Sequence, residues 1–371
     1  MSNEEVLMRY DRWITDDSEF AALVVRQWLV PVEGKDSVVF PPTYAKPERL
    51  REEDWLGYNI DRFDDGTSVC QIDSVGSQAN RLEPIFKREP YQRLVPQITI
   101  EADGRQVNLL DAGHRAADAI VRFSNLASEL RAAYQAWLDT GNAQPLAKIA
   151  PTSIVFGSWD SRDTQAKLPR IMRSVIRAYD VKTLHRSAQY STIAGEILEG
   201  ANVEVTTTGP KAELGLAHVP AAWTHGGVQV LREIRRDGAL NLAALRALGA
   251  GNDEEVLKLR RYILGLALVV FTAPQETFLR EGCQLVLDKK HPGEWQSVKH
   301  DGETDKLEIT PKDALAFAQL AATNFVVGKS QPARFNADLA REALGQTKEQ
   351  RKAARRRTRP AVKTPNAEEG Q

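Results

Sequence analysis

Apolar residues along the chain form short runs separated by turns, and these runs predict a mixture of helices and strands. Residues 18–29 fit a helix that Ser18 caps and Pro31 ends, whereas residues 37–40 fit a short strand stopped by two prolines. Residues 67–72 predict a second strand that leads directly into a helix over residues 73–83. A strand followed at once by a helix is the beginning of a βα unit.

The rest of the pattern predicts one hairpin, further helices and a protruding segment. Residues 96–113 form a hairpin pattern because Asp103-Gly104 is a favoured two-residue turn between two β-rich runs. Residues 201–230 have β-branched ends with glycine, histidine and tryptophan between them, which is typical of a protruding hairpin or long loop. Strands are also expected over 153–160 and near Cys283, and helices over 116–138, after Pro169, over 240–248, from Asn252 and over 310–322.

Composition and charge predict a large acidic body with a basic end. The 371 residues are 42% hydrophobic, and 49 basic residues nearly balance 50 acidic ones. Eight basic residues and one acidic residue lie between 348 and 363, so the rest of the chain carries 41 basic and 49 acidic residues. Residues 346–371 are therefore expected to be a basic, disordered tail, and any surface for nucleic acid on the body must be local.

Cysteine usage and the first residues predict a cytoplasmic protein without a metal site or cofactor. Cys70 and Cys283 lie far apart and belong to no cluster with zinc-ligand spacing. The first residues are polar and acidic, with no apolar signal core. The most apolar run, residues 262–273, is too short for a bilayer span and predicts a buried helix or strand, so we expect no membrane partner.

The helix over residues 73–83 has an unusual polar flank. Val75, Ala79 and Leu82 form a core-facing stripe, and the opposite flank carries Ser74, Ser77, Asn80 and Arg81. Short polar groups at a helix N-terminus suit an anion such as a phosphate. The alternative is that Asp73 or Ser74 only caps the helix while Arg81 pairs with a nearby carboxylate.

A second segment carries a local excess of positive charge. Seven basic residues and three aspartates lie between 160 and 186. The helix expected after Pro169 carries three arginines within a narrow arc, namely Arg170, Arg173 and Arg177. The preceding loop adds the ring of Trp159 and two cations, Arg162 and Lys167. Charge, donors and a stacking ring together favour single-stranded nucleic acid. The alternative is a solvated basic face paired with the acidic body.

Five segments in a fixed order resemble a known family. They read FPPTY, DSVGSQANRLE, LLDAGHRAADA, FGSWDSRDTQAKLPRIMRSVIRAYDV and GLAHVPAAWTHGGV. Over residues 37–230 they resemble the backbone subunit of the type I-G (formerly I-U) CRISPR Cascade complex, a member of the RAMP superfamily. The resemblance implies an α+β fold with an RRM-like, ferredoxin-type core enlarged by insertions, one backbone unit over residues 1–345, and a thumb hairpin at about 203–230.

The resemblance also implies a non-catalytic role and a set of partners. Several copies would form a helical filament along the crRNA and present it for pairing with target DNA in antiviral defence. The implied partners are the crRNA, target DNA, other copies of the chain, the large Cascade subunit, a guide-processing cap subunit of the RAMP type and a recruited helicase-nuclease.

The expected RNA contacts fall into two groups. The groove residues are Ser74, Ser77, Gln78, Asn80, Arg81, Trp159, Arg162, Lys167, Arg170, Arg173 and Arg177. The thumb residues are Lys211, His218, Trp223 and His225, with Trp223 or a neighbouring apolar group as the wedge between bases.

Two other functions stay open at this point. The wider superfamily includes RNA endonucleases, so guide processing or target RNA cleavage by Asp111, His114, His185, His218 or His225 is the alternative. The chain has no HExxH motif, Walker loop or GxSxG motif that would favour an enzyme. The third function is a protein scaffold that binds no nucleic acid.

Overall fold

The computed structural model describes residues 2–51, 55, 57–275, 277–291 and 293–345. The predicted basic tail, residues 346–371, lies outside the described residues. The strands are β1 Phe20–Pro31, β2 Val38–Val39, β3 Ile60–Arg62, β4 Ser68–Asp73, β5 Ile98–Ala102, β6 Arg105–Asn108, β7 Ser158–Trp159, β8 Lys167–Leu168, β9 Met172–Tyr190, β10 Val219–Asn241, β11 Phe278–Arg280, β12 Cys283–Leu287, β13 Glu294–Lys299, β14 Thr304–Lys306 and β15 Gln331–Arg334. The α-helices are α1 Asn3–Met8, α2 Val75–Leu82, α3 Ala119–Arg122, α4 Ala127–Thr140, α5 Gln144–Ile149, α6 Thr152–Val155, α7 Ile193–Glu199, α8 Pro210–Glu213, α9 Leu242–Arg246, α10 Asp253–Thr272, α11 Pro311–Phe325 and α12 Ala337–Gly345.

One antiparallel sheet of ten strands organises the molecule. Its main path runs β11–β12–β1–β10–β9–β4–β3, and β13 shares with β12 the edge of β1 that faces away from β10. The chain passes from β1 through a helical crossover to the β9–β10 hairpin, and then through α10 to β12. Strand order β12–β1–β10–β9 with this connectivity is that of a βαββαβ core. The expected enlarged RRM-like α+β fold is therefore confirmed.

The covered face of the sheet packs against helices. Gly238 on β10 lies against the Phe271 ring of α10, and Gly265 packs α10 against Ala318 of α11 so closely that a Cβ there would stand 2.9 Å from the Ala318 Cα. Most of α10 is buried, as the apolar run predicted. No helix in the described part of the chain is long and apolar enough to span a bilayer.

Several predicted elements are confirmed with their caps. The strand–helix unit is β4 followed by α2, and the predicted hairpin is β5–β6 around Asp103 and Gly104. The helix from Asn252 is α10, and the Asn252 side chain accepts a hydrogen bond from the Glu255 N–H. Thr310 and Asp313 form a capping box at the start of α11. The late strand near Cys283 is β12, and the two predicted helical pieces within 116–138 correspond to α3 and α4.

Three helix or strand predictions are wrong. Residues 18–29 are mainly strand β1, and most of the residues after Pro169 form strand β9 rather than a helix. Residues 153–160 contain the end of α6 and only the two-residue strand β7. β1 and β9 each hydrogen-bond to neighbouring strands on both sides. This pairing outweighs the helical spacing of their apolar residues.

The β9–β10 hairpin extends well beyond the rest of the sheet. Residues 182–227 pair only within the hairpin, and we call this segment the arm. Its tip, residues 191–218, contains α7 and α8. The segment predicted as a thumb, residues 203–230, contains the second half of the tip and the returning strand. The rising strand lies in the segment for which a helix was predicted.

Candidate nucleic-acid interface

A buried carboxylate fixes α2 on the sheet. Asp73, at the end of β4, is 1% exposed. One of its oxygens accepts the Ser77 hydroxyl and the other accepts the Gln78 amide, each at 2.7 Å. The Arg81 Nε lies 3.2 Å and the Arg280 Nη2 lies 3.4 Å from the same carboxylate. Two cations and two neutral donors thus compensate the burial of one negative charge.

The polar flank of α2 therefore divides into internal and outward groups. Gln78 is buried, and its carbonyl oxygen accepts a hydrogen bond from Ser174 on β9. Arg81 also donates to the Leu279 carbonyl oxygen. Asn80 is exposed, whereas Ser74 caps the helix by accepting from the Ser77 N–H at 3.1 Å. Gln78, Ser77 and Arg81 hold α2 in place, and Asn80 is the predicted group that faces outward.

A second buried ion pair lies beneath Asn80. Arg115 is 5% exposed, and its Nε lies 2.7 Å from a carboxylate oxygen of Glu83. Its Nη2 donates to the Asn80 side-chain oxygen at 3.3 Å, and its guanidinium stacks 5.2 Å from the Phe156 ring centre. Burial raises the pKa of Glu83 to about 7, although the positive charge of Arg115 opposes that shift.

Arg170 joins this group from the other side of α2. Its Nη1 donates to the Val75 carbonyl oxygen at 3.3 Å. Gly157 permits this approach, because its φ is +75° and an added Cβ would stand 2.8 Å from the Arg170 Cγ. Burial lowers the pKa of Arg170, and the positive charge of Arg115 lowers it further. Arg170 and Arg115 are thus like charges close enough to repel each other.

The segment around Arg170 forms an exposed basic strip, which we define as Arg162, Lys167, Arg170 and Arg173. Within the described ranges, none of these side chains has a carboxylate within the 4.0 Å of an ion pair. The Lys167 Nζ lies 5.9 Å from the ring centre of Trp159, which is 58% exposed on the paired strand β7. Arg177 differs, since it lies 4.0 Å from Asp237. The strip has the free cations and exposed ring that a nucleic-acid backbone and base require.

The predicted arm residues have very different surroundings. Lys211 lies 2.5 Å from Glu199 and 3.7 Å from Glu204, and these carboxylates raise its pKa. His218 accepts a hydrogen bond from the Thr192 N–H within the tip. These two side chains therefore serve the internal structure of the tip.

Trp223 and His225 lie on the returning strand, between the tip and the sheet. Trp223 is 76% exposed, has a φ of +55°, and stacks on His185 at 4.4 Å between ring centres. His225 packs edge-on against Tyr58 at 5.3 Å. A large aromatic ring that protrudes on a two-stranded arm is available to contact an unstacked base.

Of the residues considered for catalysis, only His185 and His225 are paired, opposite each other on the two strands of the arm. Asp111 forms an ion pair with Lys87 at 2.6 Å, and the His114 Nδ1 lies 3.6 Å from Asp118. His185 lies against Trp223 on the arm. Among the described residues, no three His, Cys, Asp or Glu side chains are grouped to hold a metal ion.

One family model matches the part of the chain that contains α2 and the basic strip. Residues 23–183 match the family model described as CRISPR-associated protein GSU0053. The match begins in β1, includes α2 and the basic strip, and ends on the rising strand of the arm, so it covers less than half of the 371 residues. It supports CRISPR association and a role in CRISPR defence. No curated protein matches the chain.

Sequence reasoning missed the residues that position this interface. The sequence pattern predicts Asp73 as a possible cap and Glu83 as part of a helix, and it assigns no role to Arg115. An arginine is almost never fully buried without a partner, so the burial of Arg115 implies an acidic partner. Its partner cannot be read from the sequence, because Glu83 lies 32 residues earlier.

Proposed function

We propose that the chain is the guide-RNA-binding backbone subunit of a type I-G Cascade complex. Several copies bind one crRNA in a helical filament and present its bases to target DNA. The proposal assigns no catalytic step to this chain. Guide processing and target cleavage then belong to the other partners, namely the cap subunit and the recruited helicase-nuclease, while the large Cascade subunit completes the assembly.

The observation that carries the proposal is the position of Arg170. Its guanidinium lies beside α2, near the like charge of Arg115, and no described carboxylate pairs with it. A phosphate placed there relieves the repulsion and gains charge-assisted hydrogen bonds. The match of residues 23–183 to a CRISPR-associated family supports this reading.

The groups around Arg170 suit a backbone rather than a base sequence. Arg162, Lys167 and Arg173 supply positive charge, Asn80 supplies a short amide, and Trp159 offers a ring on which any base can stack. None of these features selects one base. A subunit that leaves the reading of sequence to base pairing needs this kind of surface.

The test is a double charge reversal on the basic strip. Arg170→Glu with Arg173→Glu is expected to abolish the large ribonucleoprotein when all partners are co-expressed, and to weaken binding of the purified chain to single-stranded RNA. Affinity of the unaltered protein should fall steeply with salt, because each phosphate contact releases counterions.

The matched control is Arg341→Glu on α12, where the arginine is exposed and pairs with Asp338, three residues away. It should leave RNA binding unchanged. If the double variant binds RNA as well as the control does, the scaffold function replaces this proposal. If it assembles normally and loses only RNA cleavage, the endonuclease function replaces it.

A further inference from the structure

A pocket separate from the basic strip lies between β1 and β10, where β1 approaches its end. Its volume is about 410 Å³, and its walls include Trp28, Lys35, Leu231, Glu233 and His291. That volume lies in the range of roughly 300–1,000 Å³ that small-molecule sites occupy. No residue of this pocket belongs to the interface described above.

A buried carboxylate holds the side chains of Lys35 and His291 at the pocket. Asp288 is 8% exposed, and one of its oxygens lies 2.8 Å from the Lys35 Nζ and 2.8 Å from the His291 Nδ1. Its other oxygen accepts the Lys290 N–H at 3.0 Å. The hydrogen bonds from Lys35 and His291 hold the pKa of Asp288 well below its usual range. Lys35 and His291 themselves remain more than half exposed.

The aromatic wall is fixed in the same way. The Trp28 Nε1 donates to Glu233 at 2.5 Å, and Arg235 lies 3.1 Å from the other oxygen of that carboxylate. The Glu233 carboxylate is thus paired, as is that of Asp288, and Arg235 is shared with Asp237, 2.9 Å from its Nε. The centre of the Trp28 ring lies 6.2 Å from that of His291. A ring wall and exposed donors therefore face the same space.

We propose that this pocket binds a single nucleotide, with its base against Trp28 and its phosphate at Lys35 and His291. Both carboxylates are already paired. The second ring nitrogen of His291 is left for a hydrogen bond with a ligand, and two cations supply donors: the remaining Lys35 N–H groups and the Arg232 guanidinium, which is 62% exposed and lies 4.0 Å from Asp180. Such donors favour an anion. A flat apolar wall beside them favours an aromatic base. A phosphate alone would leave Trp28 unused, and an uncharged aromatic ligand would leave the donors unused.

The chemistry is shared by ribonucleotides and deoxyribonucleotides. The site therefore suits one unpaired nucleotide of either the guide or the target strand, held away from the stack. The pocket uses no residue of the basic strip, but the assignment of its nucleotide to the guide or the target strand rests on the proposed function.

The experiment is calorimetric titration of the full chain, freed of nucleic acid, with adenosine 5′-monophosphate, its 2′-deoxy form, adenosine and inorganic phosphate. The monophosphates should bind more tightly than adenosine or phosphate. A preference for the ribose or deoxyribose form identifies an RNA or a DNA source. Trp28→Leu and His291→Ala should each weaken monophosphate binding by about tenfold, the size of one lost stacking or charged contact.

Controls separate the pocket from general effects. Lys306→Ala, an exposed lysine paired with Glu308, should bind the monophosphate normally. Lys35→Ala and His291→Ala change exposed side chains, so they carry the test if Trp28→Leu fails to fold. The proposal is overturned if the unaltered chain does not bind the monophosphate, if phosphate alone binds as tightly, or if these two variants bind normally.

Discussion

The Arg170 guanidinium donates to the Val75 carbonyl oxygen at 3.3 Å while it faces the positive charge of Arg115. Arg115 already has Glu83 as its partner, whereas Arg170 has only a neutral carbonyl oxygen within the described residues. The pair is therefore one negative charge short. This deficit marks the place where an anion gains most from binding.

The Gly157→Ala variant should bind RNA more weakly because it displaces Arg170, although no charged residue is substituted. The new Cβ would lie 2.8 Å from the Arg170 Cγ and must displace that side chain. The positive φ adds about 1–3 kcal/mol of strain. RNA titration and thermal unfolding measure the two effects. Gly104→Ala is the control, because its φ of +72° is similar and its Cβ meets nothing within 4 Å. Equal RNA affinity in both variants contradicts the prediction.

Two lysines should respond differently to alanine substitution. Lys167→Ala should lower the salt dependence of RNA binding by about one phosphate contact, because this lysine has no described carboxylate partner. Lys211→Ala should leave it unchanged, because Glu199 and Glu204 already hold that lysine. The measurement is the slope of log affinity against log salt concentration. A fall in slope only for Lys211→Ala would move the RNA contact to the tip of the arm.

Trp223→Ala should change how the guide is held and leave stability nearly unchanged. The ring is 76% exposed, so its removal should alter the free energy of unfolding by no more than about 0.5 kcal/mol. In the assembled complex, chemical probing should show loss of the regularly spaced reactive bases that a wedge produces. Leu214→Ala, at the tip and 73% exposed, is the control. An unaltered reactivity pattern with Trp223→Ala excludes the wedge.

Stability should depend on pH through Glu83. Burial raises the pKa of its carboxyl group from the ordinary 4.5 to about 7 in the folded protein. Protonation therefore favours the folded state: its stabilising effect is complete below pH 4.5 and is lost as pH rises through 7. The difference is on the order of 3 kcal/mol. The free energy of unfolding of Glu83→Gln, measured by denaturant titration at several pH values, should lack this pH dependence. The exposed control, Glu129→Gln, should retain it, and the same pH profile in both variants contradicts the assignment.

The fold was predictable where local signals and tertiary contacts agree. Asn252 caps α10, and Thr310 and Asp313 form a capping box at the start of α11. Asp103-Gly104 forms the turn of the β5–β6 hairpin. Each of these boundaries follows from nearby residues. The sequence pattern does not predict β1 and β9, because β1 pairs with strands more than 200 residues later, and β9 pairs with β4, more than 100 residues earlier, and with β10, which returns beyond the tip of the arm. Local spacing cannot report such pairing.

The candidate site was predictable for a related reason. Arg173 and Arg177 are four residues apart, a spacing that places side chains on one face in a helix and also in a strand. The helix prediction was wrong, but strand β9 also places these two arginines on a common face. Gln78 could not be assigned in this way. Its place in the interior depends on Asp73 and on Ser174, which lies 96 residues later.

Asp73 ties together parts of the chain that are distant in sequence. It ends β4, anchors α2 through Ser77 and Gln78, and meets Arg280 of β11, while Gln78 extends the link to β9. These contacts fix α2 on the sheet through the protein's own side chains. Under the proposed function, a guide bound here would not need to order α2, so little of its binding energy would be lost to conformational entropy. In the proposed filament, that saving would recur with every copy added.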